Sequence, residues 1–269
     1  VEFSINAIPV QNRNFTWQTT LNLSHNTNKV NRLSNEKYST DSFRQGDPRV
    51  AGVSSEGWTQ LIMEGQPLGT FYTYEFAGYN EKGVSTYYVH DAETGERTGE
   101  TTASPAFKDR TITGCAQPKL NLGWNNTFSY RNWSASFFFT GMFGQDVYNG
   151  MKAHYTAPDF FAGGKNVLKE FITKRPATDT GSNIPSDKFI EDGSFLRLQS
   201  LTLGYTFRNL DGWVNSIQLY GTINNVFTIT GYDGLDPEVN MGGIDPGVDY
   251  RWNTYPHTRT FMLGAKINF

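Results

Sequence analysis

The chain has 269 residues, a formal net charge of −3 and a single cysteine, Cys115. The near-balance of charge argues against a nucleic-acid binder, which needs a basic face, and one cysteine excludes both a disulfide framework and a four-cysteine zinc site. No run of about 18 apolar residues is present to make a membrane-crossing helix. Aromatic residues nevertheless make up 15% of the chain, beside 27 glycines and only 18% charged residues. That combination suits an all-β protein, and a membrane β-barrel in particular, where only alternate residues of each strand face lipid and the loops are polar.

In chain order, the predicted strands are Val1–Ile8, Phe15–Lys29, Trp58–Glu64, Leu68–Tyr79, Lys119–Tyr130, Trp133–Asn149, Ser194–Phe207, Ser216–Phe227 and Thr258–Phe269. Near the start, Phe15, Trp17, Thr19, Leu21 and Leu23 alternate with Thr16, Gln18, Thr20, Asn22 and Ser24. Later, Ile217, Leu219, Gly221 and Ile223 alternate with Gln218, Tyr220, Thr222 and Asn224. The end repeats the pattern: Phe261, Leu263, Ala265, Ile267 and Phe269 against Thr260, Met262, Gly264, Lys266 and Asn268. A period of two puts one set on each face of a sheet. A soluble sandwich alternates too, so the period alone does not select a membrane.

Strand lengths and connections favour one. Several strands exceed the usual length of about 5–6 residues. The connections alternate between short (Pro9–Asn14, Gly65–Pro67, Arg131–Asn132, Arg208–Asn215) and long (Val30–Gly57, Asn80–Pro118, Gly150–Gly193, Thr228–His257). Short turns on one side and long loops on the other describe an outer-membrane barrel with periplasmic turns and extracellular loops. The expected fold is therefore all-β: about nine C-terminal strands of a large antiparallel transmembrane barrel. On that count residues 1–269 are expected to be the C-terminal portion of a barrel, with N-terminal strands supplied from elsewhere, since an open sheet leaves unpaired edges in lipid. Gln218, Tyr220, Thr222 and Asn224 are then expected to face the lumen, and Lys266 to avoid the lipid.

Chemical motifs are few. There is no Gly-x-Ser-x-Gly, His-Glu-x-x-His or phosphate loop, so no enzyme is expected. His25, His90, His154 and His257 show no metal-ligand spacing. Asp233, Asp236, Glu238, Asp245 and Asp249 offer oxygen ligands to calcium, but Pro237 and Pro246 interrupt them and no EF-hand order is present, so a solvated loop is expected and no cofactor. In the same loop Tyr232, Tyr250, Trp252 and Tyr255 are candidates for stacking on a ligand or a partner, with packing among loops as the alternative. Thr86–His90 and Arg97–Thr101 read as a two-stranded flap, and Asn166–Lys174 as a short helix.

The ending Phe261–Phe269, with Phe261, Leu263 and Ile267 before a terminal Phe269, resembles the assembly signal of outer-membrane barrels. Phe-Leu-Arg-Leu-Gln-Ser-Leu-Thr-Leu-Gly-Tyr-Thr-Phe, 195–207, resembles a stretch of the SusC/RagA-type TonB-dependent transporters of Bacteroidetes. So do Glu64–Tyr72 with Tyr74 and Ala77-Gly78, Pro118-Lys119 with Gly123 and Asn126–Phe128, and Phe143–Asn149. Asn224–Phe227 with Thr230–Asp233 and Asp236–Glu238, then Tyr255-Pro256 and Arg259–Phe261, complete the series in order along the chain. Thr73 stands where the family often has glycine. The resemblance implies an outer-membrane importer of oligosaccharide or oligopeptide, with a plug absent from this chain, TonB acting through that plug, and a SusD-like lipoprotein over the mouth. An outer-membrane barrel hydrolase and a soluble β-sandwich binding or adhesion module are the alternatives.

Overall fold

The computed structural model describes residues 1–53, 56–208, 210, 213–250 and 255–269. β1 (Glu2–Gln11) and β2 (Phe15–Ser24) form a hairpin. The connection that follows carries β3 (Ser42–Gln45), β4 (Gln60–Met63), β5 (Thr70–Tyr74), β6 (Phe76–Tyr79), β7 (Ser85–His90), β8 (Arg97–Thr102) and β9 (Arg110–Cys115). The chain returns with the long hairpin β10 (Leu120–Tyr130) and β11 (Trp133–Phe143). A second long connection holds β12 (Asp146–Tyr148), three short helices, α1 (Gly150–Tyr155), α2 (Pro158–Ala162) and α3 (Lys169–Lys174), and β13 (Ile190–Asp192). β14 (Phe195–Arg208), β15 (Ser216–Thr230) and β16 (Thr260–Asn268) close the order.

Seven of these strands make one antiparallel sheet, ordered β1-β2-β10-β11-β14-β15-β16. The register gives it two unlike faces. One row across it reads Trp17, Phe128, Ala135, Leu203, Gly221, Leu263. The neighbouring row, on the opposite face, reads Gln18, Thr127, Ser136, Thr202, Thr222, Met262. None of the described residues packs on the apolar face: Leu263 is 94% exposed and Leu203, Leu219 and Trp133 are exposed as well. A sandwich would bury that face against a second sheet, so the sandwich alternative is overturned. The strand ends joined by short connections, β1 to β2, β10 to β11 and β14 to β15, all lie at one end of the sheet and those joined by long ones at the other. Aromatic residues gather at the short-turn end, where Phe15 pairs with Tyr130, Tyr130 with Trp133, and Trp133 with Tyr205. Barrels carry such girdles where their walls meet the membrane interface.

Two polar side chains interrupt the apolar face, Thr19 and its cross-strand partner Asn126. Each accepts a bond from an indole: Trp17 Nε1 donates to Asn126 Oδ1 at 2.9 Å, and Trp124 Nε1 to Thr19 Oγ1 at 3.0 Å. Without these acceptors both N–H groups would be left unpaired among apolar side chains, at a cost of about 1–3 kcal/mol each. Asn126 is fully buried beneath the run of rings formed by Trp17, Phe128, Phe137 and Trp124.

Two of the expected wall strands lie elsewhere. Residues 58–64 and 68–79 contribute β4, β5 and β6, and β4 and β5 belong to a four-stranded sheet ordered β3-β4-β5-β9. Their side chains are buried on both faces, Leu61, Ile62, Phe71 and Tyr74 among them. A wall strand hides neither face so completely, and alternation in a short segment does not say which sheet it joins. Removing the pair leaves the order of short and long connections intact. Residues 133–149 are also not one strand: Gly144, at φ +80°, breaks the run, and β12 pairs instead with β13. The flap is three-stranded, β6-β7-β8, and the expected helix is α3.

The apolar core sits in the long connections, beyond the sheet. Val50, Phe71 and Ala116 from the first meet Tyr148, Ala153, Ala157 and Phe189 from the second and Val248 from the third. A smaller cluster joins Val147 to Tyr232 and Val239.

Candidate functional site: a loop anchored on the polar face

Arg197 pairs with Thr140 and Thr228 in β14's ladders, which places it on the polar face of the sheet. The irregularity between Leu198 and Ser200, opposite Asn225 at φ +51°, keeps Leu198 opposite Phe139 and Phe227 on the apolar side. Arg197 is 1% exposed because the connection between β15 and β16 folds over it. Its Nη2 donates to Asp236 Oδ1 at 2.6 Å, its Nη1 to Glu238 Oε2 at 2.6 Å and its Nε to Thr228 Oγ1 at 2.9 Å. Asp236 also accepts from the His257 backbone at 3.1 Å and lies 2.7 Å from His257 Nδ1. Burial alone would raise the Asp236 carboxyl. The bonds from His257 and Glu238 and the Arg197 charge outweigh it and hold the group below the usual carboxylate range. One guanidinium therefore ties both ends of the loop, 236–238 and 257, to the strand beneath.

The acidic residues weighed above as calcium ligands, and read there as a solvated loop, are dispersed among protein partners. Asp233 pairs with Lys152 at 3.2 Å, Asp249 accepts from Tyr232 at 2.5 Å, and Asp245 accepts from Tyr250. Among the described residues, Asp236, Glu238 and His257 alone bring three potential ligand atoms together. The Arg197 guanidinium already fills both carboxylates there, and an imidazole nitrogen is a poor calcium ligand, so this trio does not fit calcium.

The four aromatic candidates separate. Tyr232 is buried in the Val147–Val239 cluster, and burial followed by the Asp249 charge pushes its phenol up. It packs the loop and does not face a ligand. Trp252 lies outside the described residues. Tyr250 and Tyr255, with Glu238, Val239, Asn240 and Asp245, line a cavity of about 460 Å³ beside the Arg197 cluster. Tyr255 is 78% exposed, and the half-buried Tyr250 donates its hydroxyl to Asp245. Burial, then Asp245, pushes the Tyr250 phenol up, so it stays a donor.

Gln218, Tyr220, Thr222 and Asn224 share the polar face with Lys266, Gly264, Met262 and Thr260, their direct partners in β16. Thr222 bonds Thr202 at 2.9 Å and Gln218 reaches Ser134 at 3.2 Å. The Tyr220 ring lies over Gly264, where a Cβ would come within 2.4 Å of it. Phe261, Leu263 and Ile267 share the apolar face, and Phe269 stacks on Trp213 with ring centroids 4.9 Å apart. The sequence reading missed Arg197 and His257 as a unit. The available signal was an arginine at a polar-face position of a strand, with Asp-Pro-Glu in the next long loop.

No protein-family model matches the chain. TonB-dependent receptor P3 of Formosa agariphila is 29% identical over 295 residues, covering all of this chain and 28% of the receptor. TonB-dependent receptor SusC of Bacteroides thetaiotaomicron is 29% identical over 282 residues, covering all of this chain and 26% of the receptor. The chain thus spans little more than a quarter of the relatives it matches. Among solved structures, the RagAB peptide transporter superposes with a TM-score of 0.76 over the whole chain and 29% of its own, at 22% identity. The seven-stranded sheet is a segment of the wall of a large antiparallel transmembrane barrel, and the relatives are receptors and transporters, not enzymes. Over its full length the chain is similar to the TonB-dependent receptors of the SusC/RagA type, as its motifs led us to expect.

Proposed function

We propose that the chain is the C-terminal barrel portion of an outer-membrane, TonB-dependent nutrient importer. The carrying observation is the two-faced sheet with all its long, co-packed connections at one end. In this reading the apolar face meets lipid. The polar face, with Gln218, Tyr220, Thr222 and Asn224, lines the passage. The outer edges of β1 and β16 pair with strands of the same barrel, since open edges in hydrocarbon are heavily penalised. A plug in the rest of the protein contacts TonB. The co-packed connections lie outside the cell and receive a SusD-like lipoprotein. Phe261, Leu263, Ile267 and Phe269 serve as the assembly signal. The cargo is an oligosaccharide or an oligopeptide; the likeness to SusC and to the RagAB peptide transporter supports the class.

The test is uptake by cells lacking the full-length gene. Deletion should abolish accumulation of labelled cargo, as should a protonophore, and a chromosomal copy should restore it. Unimpaired uptake, or loss of a surface hydrolysis with uptake intact, would overturn the reading.

A further inference from the structure

We infer that the apolar face of the sheet holds one acyl chain of a phospholipid in a furrow over Gly221 and Ala265, with the lipid's phosphate at the level of Arg131. The inference rests on reading that face as the lipid-exposed wall and the short turns as its periplasmic end. It begins from Gly221. Glycine inside a strand weakens it, and often marks a bulge, a bend or a place where another molecule comes close. The ladder is regular here, with Leu203 opposite Gly221 and Gly221 opposite Leu263; the irregularity between β14 and β15 lies away from it, at Leu198 and Ser200. Gly141, on the same face, is covered by Phe143, whose ring would stand 3.0 Å from a Cβ there. Gly221 has no such cover: the side-chain atom nearest to a Cβ is Leu263 Cδ2, at an ordinary 3.4 Å.

Around Gly221 and Ala265 the side chains of Leu203, Leu219 and Leu263 wall a furrow of about 600 Å³. Trp133 and Tyr205 stand on its short-turn side, with ring centroids 4.8 Å apart. Every residue that lines it belongs to a strand. Space that no atom fills forfeits dispersion contacts, and a flexible methylene chain has the shape to recover them. Trp and Tyr rings gather where the headgroups of a bilayer begin, which puts the phosphate beyond Trp133, toward the turns. Among the described residues of the short turns, 12–14, 131–132, 210 and 213–215, the charged side chains are Arg13 and Arg131, both cationic; Asp211 lies outside the described residues. The Arg131 guanidinium lies 5.4 Å from the centroid of the Tyr130 ring, and Tyr130 is the cross-strand partner of Trp133. A phosphate at that level gains a charge-assisted hydrogen bond.

The experiment is native mass spectrometry of the full-length protein, purified in detergent, stripped of lipid and titrated with dioleoyl phosphatidylglycerol or with dioleoylglycerol, which lacks the phosphate. The wild type should take up one phosphatidylglycerol tightly, and more tightly than dioleoylglycerol. Gly221→Leu should weaken that binding at least about fivefold, the low end of what overpacking an occupied site costs. Its heat-modifiable migration should be unchanged, because the position admits a side chain. Arg131→Gln should narrow the difference between the two lipids, and Phe3→Ala, on the same face at the far edge of the sheet, should bind as the wild type does. The inference is overturned if Gly221→Leu binds as the wild type does, if Phe3→Ala loses lipid equally, if dioleoylglycerol binds as tightly, or if Gly221→Leu instead splits a homodimer that holds no lipid. Equal binding by a folded, detergent-dependent Gly221→Leu sinks the furrow and leaves the importer reading standing. A full-length protein that stays dispersed without detergent sinks the reading of the wall itself.

Discussion

The ring of Tyr220 covers the backbone of Gly264, its direct cross-strand partner on the polar face of the sheet. Glycine weakens a strand interior by leaving no side chain to pack, and here the neighbouring ring fills that place. A Cβ at Gly264 would stand 2.4 Å from the tip of the ring, so the Tyr220 side chain would have to swing aside to admit it.

Gly264→Ala should therefore destabilise the fold by about 1 kcal/mol, the low end of the cost of overpacking, because the exposed Tyr220 ring can shift. In a Tyr220→Ala background the same change should cost far less, since the obstructing ring is gone. Urea unfolding of the full-length protein, followed by the loss of heat-modifiable migration, measures the four members of the cycle. Additive losses would show that the ring does not occupy this site.

Breaking the Arg197 anchor should free the loop without unravelling the sheet. Arg197→Met takes the guanidinium away from Asp236 and Glu238 and leaves only His257 beside them, and removing one partner of a buried ion pair costs about 3–5 kcal/mol. Protease cleavage within 231–257 should accelerate strongly, while strand content by circular dichroism stays unchanged. Cleavage at the wild-type rate would remove the anchor from the account. Deleting 228–257 outright is a harsher change, because Val248, Tyr232 and Val239 leave the shared loop core with it. That deletion should lower assembled protein as well as partner binding.

The same anchor sets a pH dependence. The Asp236 carboxyl is held below its ordinary value, so the unfolded loop binds the proton more readily than the folded one. The stabilisation is fully present above the unfolded value of about 3.9 and is lost as pH falls through the lower, folded value. Loop protection against an acid-active protease such as pepsin should hold at pH 5 and weaken progressively as pH falls below about 4. Protection lost already at pH 6 would point to another group.

On the apolar face, Asn126→Ala strands the Trp17 indole N–H in an apolar setting and should cost about 1–3 kcal/mol. The pair Asn126→Leu with Trp17→Phe removes both partners and should be nearly neutral. Stability of the two variants in detergent or lipid decides. A double variant as unstable as the single one would mean that the bond is not what Asn126 supplies.

Much of the wall was legible in the sequence because a sheet with one apolar and one polar face imposes a two-residue period that survives reading residue by residue. Phe15 to Ser24 and Thr260 to Asn268 became strands with the faces their alternation implies. The placement of 58–64 and 68–79 was not legible, since β4 and β5 are buried on both faces by partners distant in sequence, and local alternation carries no record of those partners. The site was harder still. Tyr232 and Tyr250 look alike in sequence, yet one is spent on Asp249 inside the loop core and the other lines a recess. Arg197 read as one more residue of an alternating strand, because its meaning comes from Asp236 and Glu238 in a different loop.

The core shared by Val50, Phe71, Tyr148, Phe189 and Val248 has a consequence for how such a mouth can be altered. Each of the three long connections contributes side chains that the other two must match in shape. A single connection transplanted from a relative would bring half of a contact and leave a void or a clash. Engineering a new specificity by exchanging one loop should fail more often than exchanging all three together, and natural divergence at this end is expected to proceed through compensated, multi-loop changes.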